Sequence, residues 1–301
     1  MGKYSYLFLL NTVVFFSTYE VVNKAIAGEI NLIQVNFLRF LIGGLFLLPF
    51  AMISLRGRTA PNPKTVLAAI PIGVLNVCIS MTFLQWSIIL SGAAIAAVLF
   101  SCNPIFVAVF SRLILGEKMS KHKVMGLILG ILGVTVTFFE GLTSGNVILT
   151  GTLFAVMAAL FFGLYTVLGK RLCGDLGSTM MNSISFISGS LILMPILYLT
   201  NQPVFNFDPS ALIPLIYLSI CVTGLAYLTY FAALKDMPAN VGSSIFFIKP
   251  IAASILAITF LGEKITLFLL VGGALVLAGM YLIVFFRRTD EKQIDQSIRT
   301  T

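Results

Sequence analysis

Three ionisable side chains, Glu20, Arg39 and Lys249, fall inside long apolar runs of this chain, and Lys24 sits near the end of one. A charge at the centre of a membrane helix costs on the order of 2.5–3.5 kcal/mol, so such residues are candidate functional groups by default. Glu20 precedes Lys24 by four residues, the order that favours a pair on one helix face. The two can therefore be an interfacial pair that offsets its own charges. Alternatively, Glu20 faces a cavity and holds a proton, an amine or another cation. Arg39 offers a planar fork of donors suited to a carboxylate or phosphate, or it snorkels to the interface. Lys249 lies directly before Pro250, which frees the carbonyl of residue 246 and suggests a kink in its helix. A cation beside an opened backbone makes a polar niche, tolerated at depth only inside protein or along a cavity. Its readings are an ion pair with Glu20 or a ligand for solute.

Other chemistry is sparse. Every Asp (Asp175, Asp208, Asp236, Asp290, Asp295) falls in a loop or the tail, and the only His, His122, falls in a turn. No Ser/His/Asp set or metal-ligand spacing can be assembled, so no enzyme, metal or cofactor is expected. Cys78, Cys102, Cys173 and Cys221 read as small apolar fillers. No phosphate-binding G-x-x-x-x-G-K-[ST] occurs, which argues against direct nucleotide drive. Tyr19, Trp86, Tyr165, Tyr227 and Tyr230 are candidate aromatic walls, although Trp86 near a segment end also suits an interfacial anchor. Asn23, Asn76, Gln85 and Asn103 can bond a solute or bridge helices.

The elements that must position these residues are membrane helices. Of the 301 residues 58% are hydrophobic and 10% charged, against roughly 25% charged in soluble domains. Turn signals separate ten apolar segments, 4–26, 33–55, 66–87, 92–115, 121–140, 148–170, 178–199, 209–234, 240–261 and 265–286, each near the length of about 20 residues that spans a bilayer. The start carries no small-residue cleavage site and reads as a retained first helix. With the N-terminus inside, fifteen Lys and Arg lie on the cytoplasmic side and two, Lys24 and Lys264, on the other. The positive-inside rule then places both termini in the cytoplasm. The net charge of +8 reflects those loops rather than nucleic-acid binding. The tail 287–301 is polar, with nothing to build a core.

A repeat organises the segments. At an offset of 146, Tyr19, Lys24, Asn36, Phe40, Gly43 and Pro49 match Tyr165, Lys170, Asn182, Phe186, Gly189 and Pro195. Pro104, Gly116, Glu117, Lys118, Gly126 and Gly133 match Pro250, Gly262, Glu263, Lys264, Gly272 and Gly279. Five spans per repeat is odd, so the second copy (148–286) enters from the side opposite to the first (1–140). The predicted fold is an all-α integral membrane protein of ten transmembrane helices in two inverted five-helix repeats. That architecture is common among secondary transporters, with the solute site near the midplane between the halves. Gly126, Gly130 and Gly133, with Gly272, Gly273 and Gly279, mark close-packing faces, assigning the fifth and tenth helices to scaffold. Pro104 and Pro250 are the candidate kinks.

The motifs FSTYEVVNK, Leu38-Arg39-Phe40, NPIFVAVFSRLILGEK and KPIAASILAITFLGEK resemble those of the drug/metabolite transporter superfamily, in particular EamA-type permeases. The likeness covers nearly the whole chain except the tail. It implies a plasma-membrane carrier of small organic solutes, often an exporter of amino acids or other metabolites; a monomer is expected to suffice for transport. Two interior cations against one carboxylate lean toward a carboxylate-bearing solute, with a zwitterion allowed if Glu20 takes the amine. The expected site is Lys249, Glu20, Tyr165, Tyr19, Asn103, Arg39, Asn23, Trp86 and Tyr227, with a proton as candidate coupling ion. A channel or receptor of the same fold is the alternative.

Overall fold

The structure, a computed structural model, describes residues 5–55, 62–117, 121–144, 146–243, 246, 249–262 and 266–285. Lys118, Glu263, Lys264 and the tail from 287 on lie outside the described residues. The helices are α1 (Ser5–Ala25), α2 (Leu32–Leu55), α3 (Pro63–Ser91), α4 (Ala93–Leu115), α5 (Lys121–Ser144), α6 (Asn146–Leu176), α7 (Ser178–Leu199), α8 (Pro209–Lys235), α9 (Lys249–Leu261) and α10 (Leu267–Phe285). A single helical turn, Ala239–Gly242, precedes α9. Among the described residues, seven helices are long and apolar enough to cross a membrane: α1 to α4 and α6 to α8. Stretches of α5, α9 and α10 are shorter and apolar.

Packing follows the glycines. A Cβ on Gly133 of α5 would lie 2.5 Å from the Gly272 carbonyl oxygen and 2.7 Å from the Val276 nitrogen of α10. A Cβ on Gly279 would lie 2.4 Å from the Gly126 oxygen and 2.8 Å from the Gly130 nitrogen. Backbones can approach this closely only without side chains between them. Advancing along α10 from 272 to 279 retreats along α5 from 133 to 126, so the two helices run antiparallel. The same exchange recurs elsewhere. A Cβ on Gly43 of α2 would lie 2.8 Å from the Ser219 carbonyl oxygen and 2.9 Å from Thr223 Cγ2 of α8, and one on Gly189 of α7 would lie 2.6 Å from the Gly73 carbonyl oxygen and 2.8 Å from Val77 Cγ2 of α3. Each contact maps onto its counterpart when 146 is added to one residue and subtracted from the other. Reciprocal contacts of this kind are the mark of a two-fold relation.

Local structure departs from the sequence expectation at two places. First, α3 and α8 each contain a π-helical stretch, Val74–Ser80 and Leu218–Leu225, at nearly corresponding positions. Stretches of this type frequently accompany functional sites. Second, Pro104 does not bend a continuous helix. The chain turns at Ser101 and Cys102, and the helical segment Asn103–Leu115 restarts with Pro104 in its first turn, where the missing N–H costs no helix bond. The Phe100 carbonyl, left without its usual donor, accepts from Asn103 Nδ2 at 3.0 Å. In the second half the helix likewise begins at Lys249, with Pro250 in its first turn. At Pro104 this is a helix break rather than a kink; residues 247 and 248, which would decide between the two at Pro250, lie outside the described residues. Gly116 and Gly262 close their helices at φ 69° and 64°, the left-handed conformation that glycine adopts without penalty.

Candidate functional site

The site lies where residues meet their own repeat partners. Phe40 and Phe186, 146 apart, pack edge to face with centroids 4.9 Å apart. Phe100 and Phe246, also 146 apart, lie at 6.3 Å. Tyr227 points its hydroxyl at the sulfur of Met81, again 146 away, at 3.9 Å. Under the two-fold relation that the reciprocal glycine contacts indicate, a residue meets its own copy at the axis, so these three contacts lie along it. The partners Phe16 and Phe162 flank it, with centroids 5.8 and 5.6 Å from that of Phe246. A cavity of about 20 Å³ sits among these rings, lined also by Tyr19, Arg39 and Lys249. That is room for a water molecule and far short of the several hundred Å³ of a drug-sized ligand pocket.

The aromatic lining is shared by both repeats, whereas the charges are not. Glu20, Arg39 and Lys249 are matched at the repeat spacing by Thr166, Ser185 and Asn103. Glu20 sits on α1 with its side chain fully buried, and Lys249 opens α9 with 3% of its side chain exposed. The Lys249 ammonium pairs with Glu20 Oε1 and stands 4.6 Å from the Phe100 ring centroid. The other oxygen, Glu20 Oε2, is buried without a hydrogen-bond partner among the described residues. Lys24 does not join the pair; its ammonium donates to the carbonyls of Ile88 and Ile89 at 3.3 and 3.4 Å.

Arg39 is 1% exposed and clamped between rings, its guanidinium carbon 4.4 Å from the centroid of Tyr19 and 4.2 Å from that of Phe40. Its Nε donates to Asn36 Oδ1 at 3.2 Å and Nη1 to Thr223 Oγ1 at 3.4 Å, while Nη2 has no partner among the described residues. No carboxylate of the described residues lies within 4 Å of it. A polar girdle continues outward: Gln85 donates to Asn23 at 2.9 Å and to Asn36 at 3.2 Å, and Asn23 donates to the Tyr19 carbonyl at 2.8 Å.

The sequence-predicted residues therefore divide. Tyr19, Arg39, Tyr227 and Lys249 line the cavity, and Glu20 holds Lys249 from behind. Asn23 belongs to the girdle. Tyr165 is buried and donates from its hydroxyl to Asn182 at 3.1 Å, bridging α6 and α7. Asn103 caps the Phe100 carbonyl. Trp86 is 41% exposed and stands apart from the cavity, as an interfacial ring would. Phe16, Met81, Phe100, Phe162 and Phe246 were not singled out from sequence. The signal was present, since Phe16/Phe162 and Phe100/Phe246 recur at the repeat spacing. A second cavity, of about 320 Å³, is bounded by Lys170, Cys173, Gly174, Gly177, Phe231, Leu234 and Lys235. There Lys170 faces Glu117 at 3.5 Å.

A family model for the EamA-like transporter family matches residues 3–139 and again residues 149–285. The chain belongs to the EamA-like transporter family. The family domain is duplicated, and the two matches coincide with the two repeats. A transporter of Clostridium kluyveri, described as uncharacterized, is 34% identical over 286 residues, covering 92% of both chains. A chloroplastic WAT1-related protein of Arabidopsis thaliana is 26% identical over 287 residues, covering 92% of this chain and 68% of its own. A solved crystal structure shares the fold with a TM-score of 0.71 at 18% identity, covering 97% of this chain and 100% of that one. This EamA-family chain is thus a multi-pass helical membrane protein of the drug/metabolite transporter superfamily.

Proposed function

We propose that the protein is a secondary carrier that crosses the plasma membrane ten times, as two inverted five-helix repeats, and exports small carboxylate-bearing metabolites by alternating access. Both termini are assigned to the cytoplasm by the fifteen-to-two excess of Lys and Arg. The reciprocal glycine contacts and the antiparallel run of α5 and α10 support the inverted arrangement. The observation that carries the solute class is Arg39. A guanidinium buried beside the axial cavity, with Nη2 unpartnered and no carboxylate within 4 Å among the described residues, leaves a donor for an anionic acceptor. Lys249 lines the same cavity with its charge already answered by Glu20. The larger cavity at Lys170 and Lys235 lies on the face assigned to the cytoplasm, and its basic lining suits the approach of an anion. The small central volume means that a solute is admitted by separating the Phe16, Phe162, Phe100 and Phe246 rings.

The test is counterflow in proteoliposomes. Unlabelled carboxylate inside should drive transient accumulation of the labelled solute above its equilibrium level, which a channel or receptor does not produce. Absence of counterflow across a panel of amino acids and organic acids would overturn the reading.

A further inference from the structure

Among the described residues the buried charged side chains are Glu20, Arg39 and Lys249, with 0%, 1% and 2% of their surface exposed. Glu20 and Lys249 form an ion pair, so their charges cancel. A guanidinium is a fixed cation in proteins. That of Arg39 is held by an amide, a hydroxyl and two aromatic faces, none of which carries a compensating negative charge. Counted over the described residues, the solute-free core therefore carries one net positive charge beside the axial cavity.

From this we infer that the carrier is selective for solutes of net charge −1 and runs as an electrogenic monoanion transporter, in which the empty form moves charge and the loaded form does not. The inference rests on the alternating-access reading above. A monoanion at Arg39 brings the core to neutrality, and a neutral core crosses the closed state without a desolvated excess charge. A zwitterion leaves the charge in place. Loaded exchange is therefore fast and blind to membrane potential. Net transport must return the empty, positive core, and an inside-negative potential favours that core opening inward. The ordinary sign of a cell's potential thus resets the carrier to load from the cytoplasm, which makes export the driven direction. For a full unit charge crossing the whole field, the bias is about 50-fold for each 100 mV, equivalent to about 2.3 kcal/mol.

The full-length protein, reconstituted in phosphatidylcholine/phosphatidylglycerol vesicles at clamped pH, is tested with labelled pyruvate, glutamate and leucine. Self-exchange and net efflux are each measured with and without an inside-negative potassium diffusion potential, against protein-free vesicles. The expected results are exchange of pyruvate or glutamate at least about tenfold faster than leucine, and unaffected by potential. Net efflux of that monoanion should rise at least about fivefold at 100 mV, part of the full-field limit. Net efflux that ignores the potential means that a co-transported ion balances the charge, and overturns the inference while leaving a carboxylate carrier standing. Leucine exchange equal to or faster than both monoanions also overturns it. Failure of all three probes to exchange removes the carboxylate-carrier reading itself.

Discussion

Removing the Lys249 ammonium should expose how much of the fold depends on one buried pair. In Lys249→Met the Glu20 carboxylate loses its cation, while Glu20 Oε2 already lacks a partner among the described residues and the Arg39 guanidinium stands beyond ion-pair distance, its Nε and Nη1 held by Asn36 and Thr223. Both side chains of the pair are essentially inaccessible, at 3% and 0%, so water cannot take the place of the lost partner without opening the core. Breaking a buried pair from one side costs about 3–5 kcal/mol, whereas replacing both members by apolar or neutral groups of similar shape is often neutral or stabilising. Lys249→Met should therefore lower the thermal denaturation midpoint in detergent by several degrees. The double variant Glu20→Gln/Lys249→Met should recover to within about 1 kcal/mol of the parent. The coupling from the complete cycle should then exceed about 2 kcal/mol. Counterflow in the recovered double variant should still be reduced about tenfold or more, because a cavity-lining cation has gone. Stability effects that add to within about 0.5 kcal/mol would show that the two side chains do not sense each other, and would refute the pairing.

Two further outcomes follow from the packing. Gly133→Ala and Gly279→Ala each place a methyl against opposing backbone at 2.5 and 2.4 Å; both should destabilise by about 1–3 kcal/mol, to a similar degree, when midpoints are compared in one detergent. Trp86→Ala should leave counterflow within about twofold of the parent, as expected for an exposed ring outside the cavity; a larger loss measured at matched protein density would return Trp86 to the site.

The helical elements, the offset of 146 and the intramembrane charges were all legible in the residues, because apolar length and repeat spacing are local properties of a chain. Offset alone also implied that the two halves are copies. It could not say which copies touch. That depends on where the two-fold axis passes, and the axis is set by how closely Gly43, Gly133, Gly189 and Gly279 let backbones approach. Hence the rings of Phe100 and Phe246 became the centre of the site, while Tyr165, which also has a copy, turned out to bridge α6 and α7 through Asn182.

The charges show the same division. Glu20 has a cation four residues away on its own helix and another 229 residues away, and sequence spacing favours the near one. The structure pairs it with Lys249, since Lys24 is drawn to the carbonyls of Ile88 and Ile89 while Lys249 is buried against Glu20. A buried charge must find its counter-charge inside the protein, whatever their separation along the chain. By itself the sequence determined that Glu20, Arg39 and Lys249 lie within a helical membrane protein built twice over. Tertiary structure decided that two of them cancel and that Arg39 is left beside the axial cavity with a donor unmet among the described residues, because only packing sets which charges come within reach of one another.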